Sequence, residues 1–298
     1  MKKNKSRVIL SIVTLLLFSF SAWAEEGVLR VGSIGMSPKE EVKKFQIFAD
    51  YLAGQLSDQG ITRGKVVVAR SMEKMVELIQ NGEVDIYIDS PFPAYKVSQA
   101  SGSKIFLRRW KKGVAEYHTM FFVRKDSGIS TVDDLKGKMI AFEEPYSTTG
   151  YFFTKAVLIK MGFKLVKKHD PAESVAADEI GYVFSYNDTT SLVWVIRNKV
   201  VGASMGNEKL AKIAGADWGD IKVILETDKV PRQVVSYRPD IEPKLLARIE
   251  QVLIDMDKRD DGKHVLKEFE NTVKFDHFPL DLDTTFKPIS ELADNIDK

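Results

Sequence analysis

The segment MIAFEEPYSTTGYFFTKAVLIKMGF, residues 139–163, contains the pattern that decides the fold. Four apolar residues predict a short buried strand, a polar loop follows, and apolar residues at helical spacing predict a helix that begins near Tyr151. The first turn of a helix has unpaired N–H groups and a partial positive charge, so it can hold an anion. The loop is therefore either an ordinary helix cap or an oxyanion site. Its candidate residues are Tyr146, Ser147, Thr148, Thr149 and Gly150.

Strand and helix patterns alternate on both sides of this segment. Before it, the predicted elements are strand 28–34, helix 41–56, strand 65–69, helix 71–81 and strand 84–88. A second series has strands at 119–123, 139–142, 180–185 and 200–204. This alternation predicts the α/β class, with mainly parallel sheets flanked by helices. Because no long flexible linker separates the two series, we expect two lobes joined by short crossing strands.

Polar loops also follow three other predicted strands. Ligands of open α/β sheets bind beyond the carboxyl ends of the strands, so polar residues at those ends are candidate contacts. Tyr95 has an alternative role as a cover for the core, and Asp188 is the expected N-cap of the next helix. The candidate contacts in these loops are Ser90, Tyr95, Tyr186, Asn187, Asp188 and Met36.

The amino terminus has the layout of a secretory signal peptide. Residues 1–24 contain basic residues, an apolar run and the small-residue end Ala22-Trp23-Ala24, which predicts cleavage after Ala24. The alternative is an uncleaved anchor, but the apolar run is shorter than the roughly 20 residues of a membrane span. Residues 1–24 carry four of the 44 basic and none of the 42 acidic residues, so their removal changes the formal charge from +2 to −2.

Composition and motifs exclude several classes of function. The mature chain lacks the one-sided basic charge of a nucleic-acid-binding protein, and the absence of cysteine excludes disulfides and thiolate metal sites. The carboxylate pairs Glu143-Glu144 and Asp133-Asp134 are interpreted as solvated loop or helix-start residues. Catalytic GxSxG, Walker and GxGxxG motifs are missing. We therefore expect no enzyme activity, no cofactor and no metal. The histidines also lack metal-binding spacing, at His118, His169, His264 and His277.

The run VRKDSGISTVDDLKGKMIAFEEPYSTTGYFFTKAVLIKMGF, residues 123–163, resembles the phosphonate/phosphite-binding branch of the type II periplasmic binding proteins. That branch has similar RKDSGI, LKGK and AF elements before a Ser-x-Ser/Thr-Gly loop. The LKGK run recurs across type II binding proteins and supports the fold, whereas the hydroxyl-rich loop is more specific. Weaker similarity extends the resemblance over most of the mature chain, in FQIFADYLAGQL, GEVDIYIDSPFPAY, NDTTSLVWVIRNKVVGA and KVPRQVVSYRPDI.

The resemblance implies a two-lobed type II periplasmic-binding-protein fold with a hinge of two crossing strands. Lobe one would contain residues 25–117 and 233–298, and lobe two would contain residues 118–232. The resemblance also implies that the loop Ser147-Thr148-Thr149 holds an oxyanion in the cleft, and that Tyr95 is a cleft residue.

Two positions depart from the family pattern. Asn187 stands where many members have histidine, and Val201 stands where many have aspartate. The apparent loss of acidic residues favours a small oxyanion, or one with an uncharged tail, over an aminophosphonate.

The expected function is that of a monomeric periplasmic solute-binding protein. It would deliver a phosphonate-, phosphite- or phosphate-like oxyanion to an ABC permease. One alternative is a sensory protein of the same fold that feeds a membrane histidine kinase or receptor. A secreted enzyme is a second alternative.

Overall fold

The computed structural model describes residues 27–296, so the predicted signal peptide and its cleavage site lie outside the described residues. The strands in chain order are β1 (Val28–Ile34), β2 (Arg63–Ala69), β3 (Ile86–Asp89), β4 (Lys104–Arg109), β5 (Glu116–Tyr117), β6 (Thr119–Arg124), β7 (Lys138–Phe142), β8 (Lys164–Lys167), β9 (Glu179–Phe184), β10 (Gly202–Gly206), β11 (Ile221–Glu226), β12 (Val230–Pro231), β13 (Gln233–Tyr237) and β14 (Phe275–Asp276).

The α-helices cover both faces of the sheets that these strands form. They are α1 (Pro38–Gly54), α2 (Met72–Gln80), α3 (Pro91–Ser101), α4 (Phe153–Lys160), α5 (Asp188–Ile196), α6 (Asn207–Ala214), α7 (Pro243–Asp255), α8 (Asp260–Glu268) and α9 (Leu282–Ala293). Within the described part of the chain, no helix has both the length and the apolar character of a membrane span.

The first six-stranded sheet has the order β14-β4-β13-β3-β1-β2. Its β3-β1-β2 end is parallel, because β1 pairs in parallel with β2 and β3, while β13 runs antiparallel to β3 and β4. The valines of β1 and the isoleucines of β3 are buried, as expected for strands that are covered on both faces. A buried aromatic group packs Phe48 against Phe269, with ring centroids 4.5 Å apart.

The second sheet has the order β11-β6-β10-β7-β9-β8. Its strands β10, β7, β9 and β8 are parallel neighbours, whereas β6 is antiparallel to β10 and β11. A separate two-stranded ribbon of β5 and β12 joins the two sheets, with Val230 opposite Tyr117. The prediction of an α/β fold with two mainly parallel sheets and crossing strands between them is confirmed.

Helices that flank the two sheets contact each other directly and through the last helix. The ring of Phe92 in α3 stacks on the ring of Phe152, which precedes α4, with centroids 4.0 Å apart. The last helix, α9, packs against both α3 and α4. Phe286 of α9 stacks on Tyr95, with centroids 6.0 Å apart, and Lys155 of α4 donates a 3.0 Å hydrogen bond to the carbonyl of Ile296.

Candidate functional site

A cavity of about 730 Å³ lies between the two sheets. Its volume falls within the range of about 300–1,000 Å³ that is typical of ligand pockets. Loops after β3 and β7, one from each sheet, supply part of its lining. The cavity therefore lies at carboxyl ends of strands, where open α/β sheets bind ligands. Among the predicted contacts, it is lined by Ser90, Tyr146, Ser147, Thr148, Thr149 and Asp188.

The loop after β7 folds around the hydroxyl of Ser147. This hydroxyl accepts a 2.9 Å hydrogen bond from the N–H of Gly150 and donates a 2.8 Å hydrogen bond to Oε2 of Glu143. The N–H of Phe152 donates to the carbonyl of Ser147 at 3.0 Å, which closes one π-helical turn over Thr148–Phe152 ahead of α4. Ser147 is therefore the N-cap of the helical segment, which begins at Thr148 rather than near Tyr151 as predicted.

Thr148 connects this loop to the other sheet. Its hydroxyl accepts a 3.0 Å hydrogen bond from the N–H of Phe92, which lies in the first turn of α3. The N-cap of α3 is Ser90, directly after β3. The amino-terminal ends of two helices, one from each sheet, therefore meet at the cavity. Both ends carry partial positive charge, which favours an anion between them. In α3, however, Pro91 and Pro93 have no N–H and the Phe92 N–H is taken by Thr148, so only the helical segment after Ser147 can offer first-turn N–H groups to a ligand.

Thr149 is buried beside Thr148 and holds the helical turn against the second sheet through its backbone. Its carbonyl oxygen accepts hydrogen bonds from Ser204 Oγ at 2.7 Å and from Thr119 Oγ1 at 3.3 Å. These two hydroxyls come from β10 and β6, so hydrogen bonds to neighbouring strands of the second sheet hold the loop in position.

Gly150, a candidate residue of the predicted oxyanion site, also has a packing role. A Cβ atom at this position would lie 2.7 Å from Cβ and 2.9 Å from Oε2 of Glu143, and 2.8 Å from Oγ of Ser147. The missing side chain therefore makes room for Glu143, a residue of the protein itself. The interpretation of Glu143 as a solvated loop residue is wrong, because its side chain is partly buried in the cavity wall.

The remaining candidate contacts lie outside the cavity lining. Tyr95 stacks on Phe286. Tyr186 is 59% exposed at a left-handed backbone position, with φ of 55°, and Met36 is 53% exposed. The side chain of Asn187 accepts a 3.2 Å hydrogen bond from the N–H of Thr190 and caps α5.

The expectation that Asp188 is the N-cap of this helix is wrong, because Asn187 holds that position and Asp188 is the first helical residue. The side chain of Asp188 lines the cavity and pairs with Lys209.

The cavity has more carboxylates than the sequence suggests. Burial raises the pKa of Asp89 to about 7, although the Ser90 N–H and the Tyr87 hydroxyl donate hydrogen bonds to its carboxylate. Burial, helped by the neighbouring charges of Asp188 and Glu144, raises the pKa of Glu143 to about 7 as well. Burial thus favours the neutral form of both carboxyl groups.

Most of the cations that line the cavity belong to ion pairs, and much of the charge there is neutralised. Exposed Lys112 and Lys212 add positive charge to the lining. Neither Glu143 nor Glu144 belongs to an ion pair among residues 27–296. The pairs in the cavity are Lys44–Glu41 at 2.6 Å, Lys111–Glu270 at 2.8 Å, Arg232–Glu208 at 2.8 Å and Lys209–Asp188 at 3.3 Å.

Sequence reasoning missed these ion-pair residues and Glu143. The position of Glu143, directly after a buried strand and four residues before Ser147, was the available signal. The contributions of Lys111, Arg232 and Glu270 depend on segments far apart in the chain, which no local pattern brings together.

Two α/β sheets joined by a narrow ribbon, with helix amino termini facing a cavity between them, define a type II periplasmic binding protein. A family model described as "ABC transporter, phosphonate, periplasmic substrate-binding protein" matches residues 34–280. The chain belongs to this family of transporter components, and it is accordingly a periplasmic substrate-binding protein and not an enzyme.

Individual proteins are similar to this chain in sequence or in fold. The phosphate-import protein PhnD of Mycolicibacterium smegmatis is 24% identical over 234 residues, which cover 75% of this chain and 71% of that protein. The structure of XAC2383 from Xanthomonas citri bound to ATP has a TM-score of 0.80 at 24% identity, covering 91% of this chain and 97% of that one. PhnD1 from Prochlorococcus marinus in complex with methylphosphonate has a TM-score of 0.66 at 17% identity, with 91% and 99% covered.

Proposed function

We propose that the protein captures a phosphonate-, phosphite- or phosphate-like oxyanion in the cavity between its lobes and delivers it to an ABC permease. The observation that carries the proposal is the meeting of two helix amino termini, linked by the hydrogen bond from Phe92 to Thr148. Hydroxyls and backbone N–H groups there can bind an oxyanion without a cation in direct contact. The family assignment favours this transport role over the sensory alternative.

The binding site in this proposal is centred on the Ser147 loop. Ser147, Thr148 and Thr149 hold the oxyanion, with Ser90 approaching from the first lobe. Tyr146 and Asp188 shape the remaining space of the cavity, while Gly150 supports the loop. Tyr95, Tyr186, Asn187 and Met36 are not proposed as direct contacts, because they do not line the cavity. The exposed lysines draw anions towards the cavity by long-range attraction.

The proposal also includes the processing and motion of the chain. The signal peptide is removed after Ala24, and the mature protein acts as a monomer. Lobe one consists of residues 25–117 and 233–298, and lobe two of residues 118–232, a division that the membership of the two sheets supports. The ribbon of β5 and β12 acts as the hinge about which the lobes close on the ligand.

The first test is thermal unfolding of residues 25–298 against phosphate, phosphite, methylphosphonate, aminoethylphosphonate, sulfate and a set of carboxylates and amino acids. A ligand that binds only the native state adds about 2.7 kcal/mol of stability at a hundredfold excess over its Kd. We expect a rise in Tm with at least one phosphorus oxyanion. If Tm does not change with any of them, the proposed ligand class is wrong.

The matched variants are Ser147→Ala and Ser71→Ala. Both serines cap a helix, because each hydroxyl accepts a hydrogen bond from the N–H three residues later. Each substitution should cost about 0.5–2 kcal/mol of stability through the lost cap. Only Ser147→Ala should weaken the binding of the oxyanion found in the first test, since Ser71 lies outside the cavity lining. Equal affinity in both variants would move the site away from the loop.

A further inference from the structure

Glu143 holds a fixed position against the start of the helical segment. Its backbone N–H donates to the carbonyl of Gly150 at 2.9 Å, and its carbonyl accepts from the N–H of Tyr186 at 2.8 Å. These two bonds anchor the residue at the end of β7. Its carboxylate then accepts the hydroxyl proton of Ser147 at 2.8 Å.

The space above Gly150 is filled by this side chain. The position of a Cβ atom on Gly150 is 2.9 Å from Oε2 of Glu143 and 2.8 Å from Oγ of Ser147. The Ser147 hydroxyl donates its single proton to Glu143, so an oxyanion held beside it by N–H groups of the first helical turn would contact the Glu143 carboxylate. The protein places one of its own negative groups at the site proposed for a negative ligand.

The surroundings of Glu143 do not neutralise its charge by an ion pair. Asp188 of α5 and Glu144 of the same loop add negative charge, while Lys209 of α6 and the hydroxyl of Ser147 oppose them. Lys209 is already paired with Asp188 at 3.3 Å. Burial and the two carboxylates outweigh the stabilising groups, so the pKa of Glu143 rises to about 7.

Two anionic groups in contact are stable only when a proton lies between them. We propose that Glu143 is a specificity-determining residue, which shares one proton with a ligand oxygen and so selects oxyanions that carry or acquire this proton. The inference rests on the proposed function, because it assumes that the Ser147 loop binds the oxyanion. It assigns to Glu143 a role in choosing among oxyanions of similar size.

Three probes differ in the proton that they bring. Inorganic phosphate keeps an acidic proton well above neutral pH and can donate it to an ionised Glu143. Methylphosphonate loses its last acidic proton in mildly alkaline solution, and sulfate has none at neutral pH. Either of these two must bind together with a proton taken from the solvent. For sulfate, the association constant should fall about tenfold for each pH unit above the point at which Glu143 ionises. For methylphosphonate, this fall should begin only where both Glu143 and the ligand have lost their protons.

The test is calorimetry of methylphosphonate and phosphate at about pH 8.5, in two buffers of different ionisation enthalpy, which counts the protons taken up on binding. The wild-type protein should take up about one proton with methylphosphonate and almost none with phosphate. In Glu143→Gln the uptake with methylphosphonate should disappear, because an amide does not titrate. This variant can still accept the hydrogen bond from Ser147, and an unchanged circular dichroism spectrum checks its fold.

The control is Glu144→Gln, which removes a carboxylate from the same loop and the same cavity. No hydrogen bond joins the Glu144 side chain to Ser147 among the residues described, so proton uptake with methylphosphonate should persist. The inference is overturned if the wild type binds methylphosphonate without proton uptake, or if Glu143→Gln still takes up a proton. Failure of the wild type to bind any phosphorus oxyanion would overturn the proposed function together with this inference.

Discussion

The substitution Gly150→Ala tests whether the space above the loop is occupied as the structure indicates. The new Cβ atom would lie 2.7 Å from Glu143 Cβ, 2.8 Å from Ser147 Oγ and 2.9 Å from Glu143 Oε2. Non-bonded carbon atoms normally approach to about 3.5–4.0 Å, so Glu143 Cβ would have to withdraw by about 1 Å, and Ser147 Oγ by a smaller distance. This displacement would break the hydrogen bond between the two residues.

The expected effect on stability is the difference between two contributions. Overpacking at a well-filled position costs about 1–3 kcal/mol, whereas alanine in place of glycine in a helix gains roughly 0.5–1 kcal/mol. We therefore expect Gly150→Ala to lower the free energy of unfolding by about 1–2 kcal/mol. It should also reduce proton uptake with methylphosphonate, because the Glu143 carboxylate leaves the start of the helix.

Urea unfolding, followed by tryptophan fluorescence, measures this loss of stability. An m value equal to that of the wild type would show that the variant exposes the same surface on unfolding. The control is Gly54→Ala, a glycine in the last turn of α1 with no atom within 4 Å of its would-be Cβ. This variant should be more stable than the wild type by about 0.4–1 kcal/mol. If Gly150→Ala were as stable as Gly54→Ala, the argument that Glu143 fills the space would be refuted.

Two further predictions concern the contact between the sheets and the pH dependence of stability. Thr148→Val should cost about 1–3 kcal/mol, because the N–H of Phe92 loses its buried acceptor; hydrogen exchange at the Phe92 amide should accelerate, and an unchanged rate would contradict the assigned bond. Although burial raises the pKa of Glu270, Lys111 and Arg109 overcome this effect and lower the pKa to about 2. The contribution of ionised Glu270 to the free energy of unfolding, roughly 3 kcal/mol, is therefore fully present above about pH 4.5 and is lost as the pH falls towards 2. The free energy of unfolding should be measured against pH for the wild type and for Glu270→Gln. Equal slopes between about pH 4.5 and pH 2 would contradict this prediction.

The alternation of elements was predictable from the sequence because it depends on local periodicity. The predicted strand 139–142 is β7, which the structure extends by one residue to Lys138–Phe142. The predicted helix 71–81 corresponds to α2 (Met72–Gln80). Apolar runs bounded by turn residues indicate such elements without knowledge of their neighbours.

The details of the site depend on contacts between distant residues and were not predictable in the same way. The N–H of Phe92 reaches the hydroxyl of Thr148 across 56 positions of the chain. The π-helical turn inserts one residue that regular helical spacing does not reveal. For Gly150, the sequence does not show which group occupies the space left by the missing side chain, and only the folded chain shows that it is Glu143.

The position of α9 affects the free energy of opening the cleft between the two sheets. Phe286, Ile289 and Leu292 of this helix are buried where it packs against α3 and α4. Any rotation that separates those two helices must detach α9 from one of them and expose apolar surface to water. The packing of α9 thus opposes a separation of α3 from α4. If the lobes move as proposed, substitutions at the buried face of α9 should change the free energy of that motion without touching the solute.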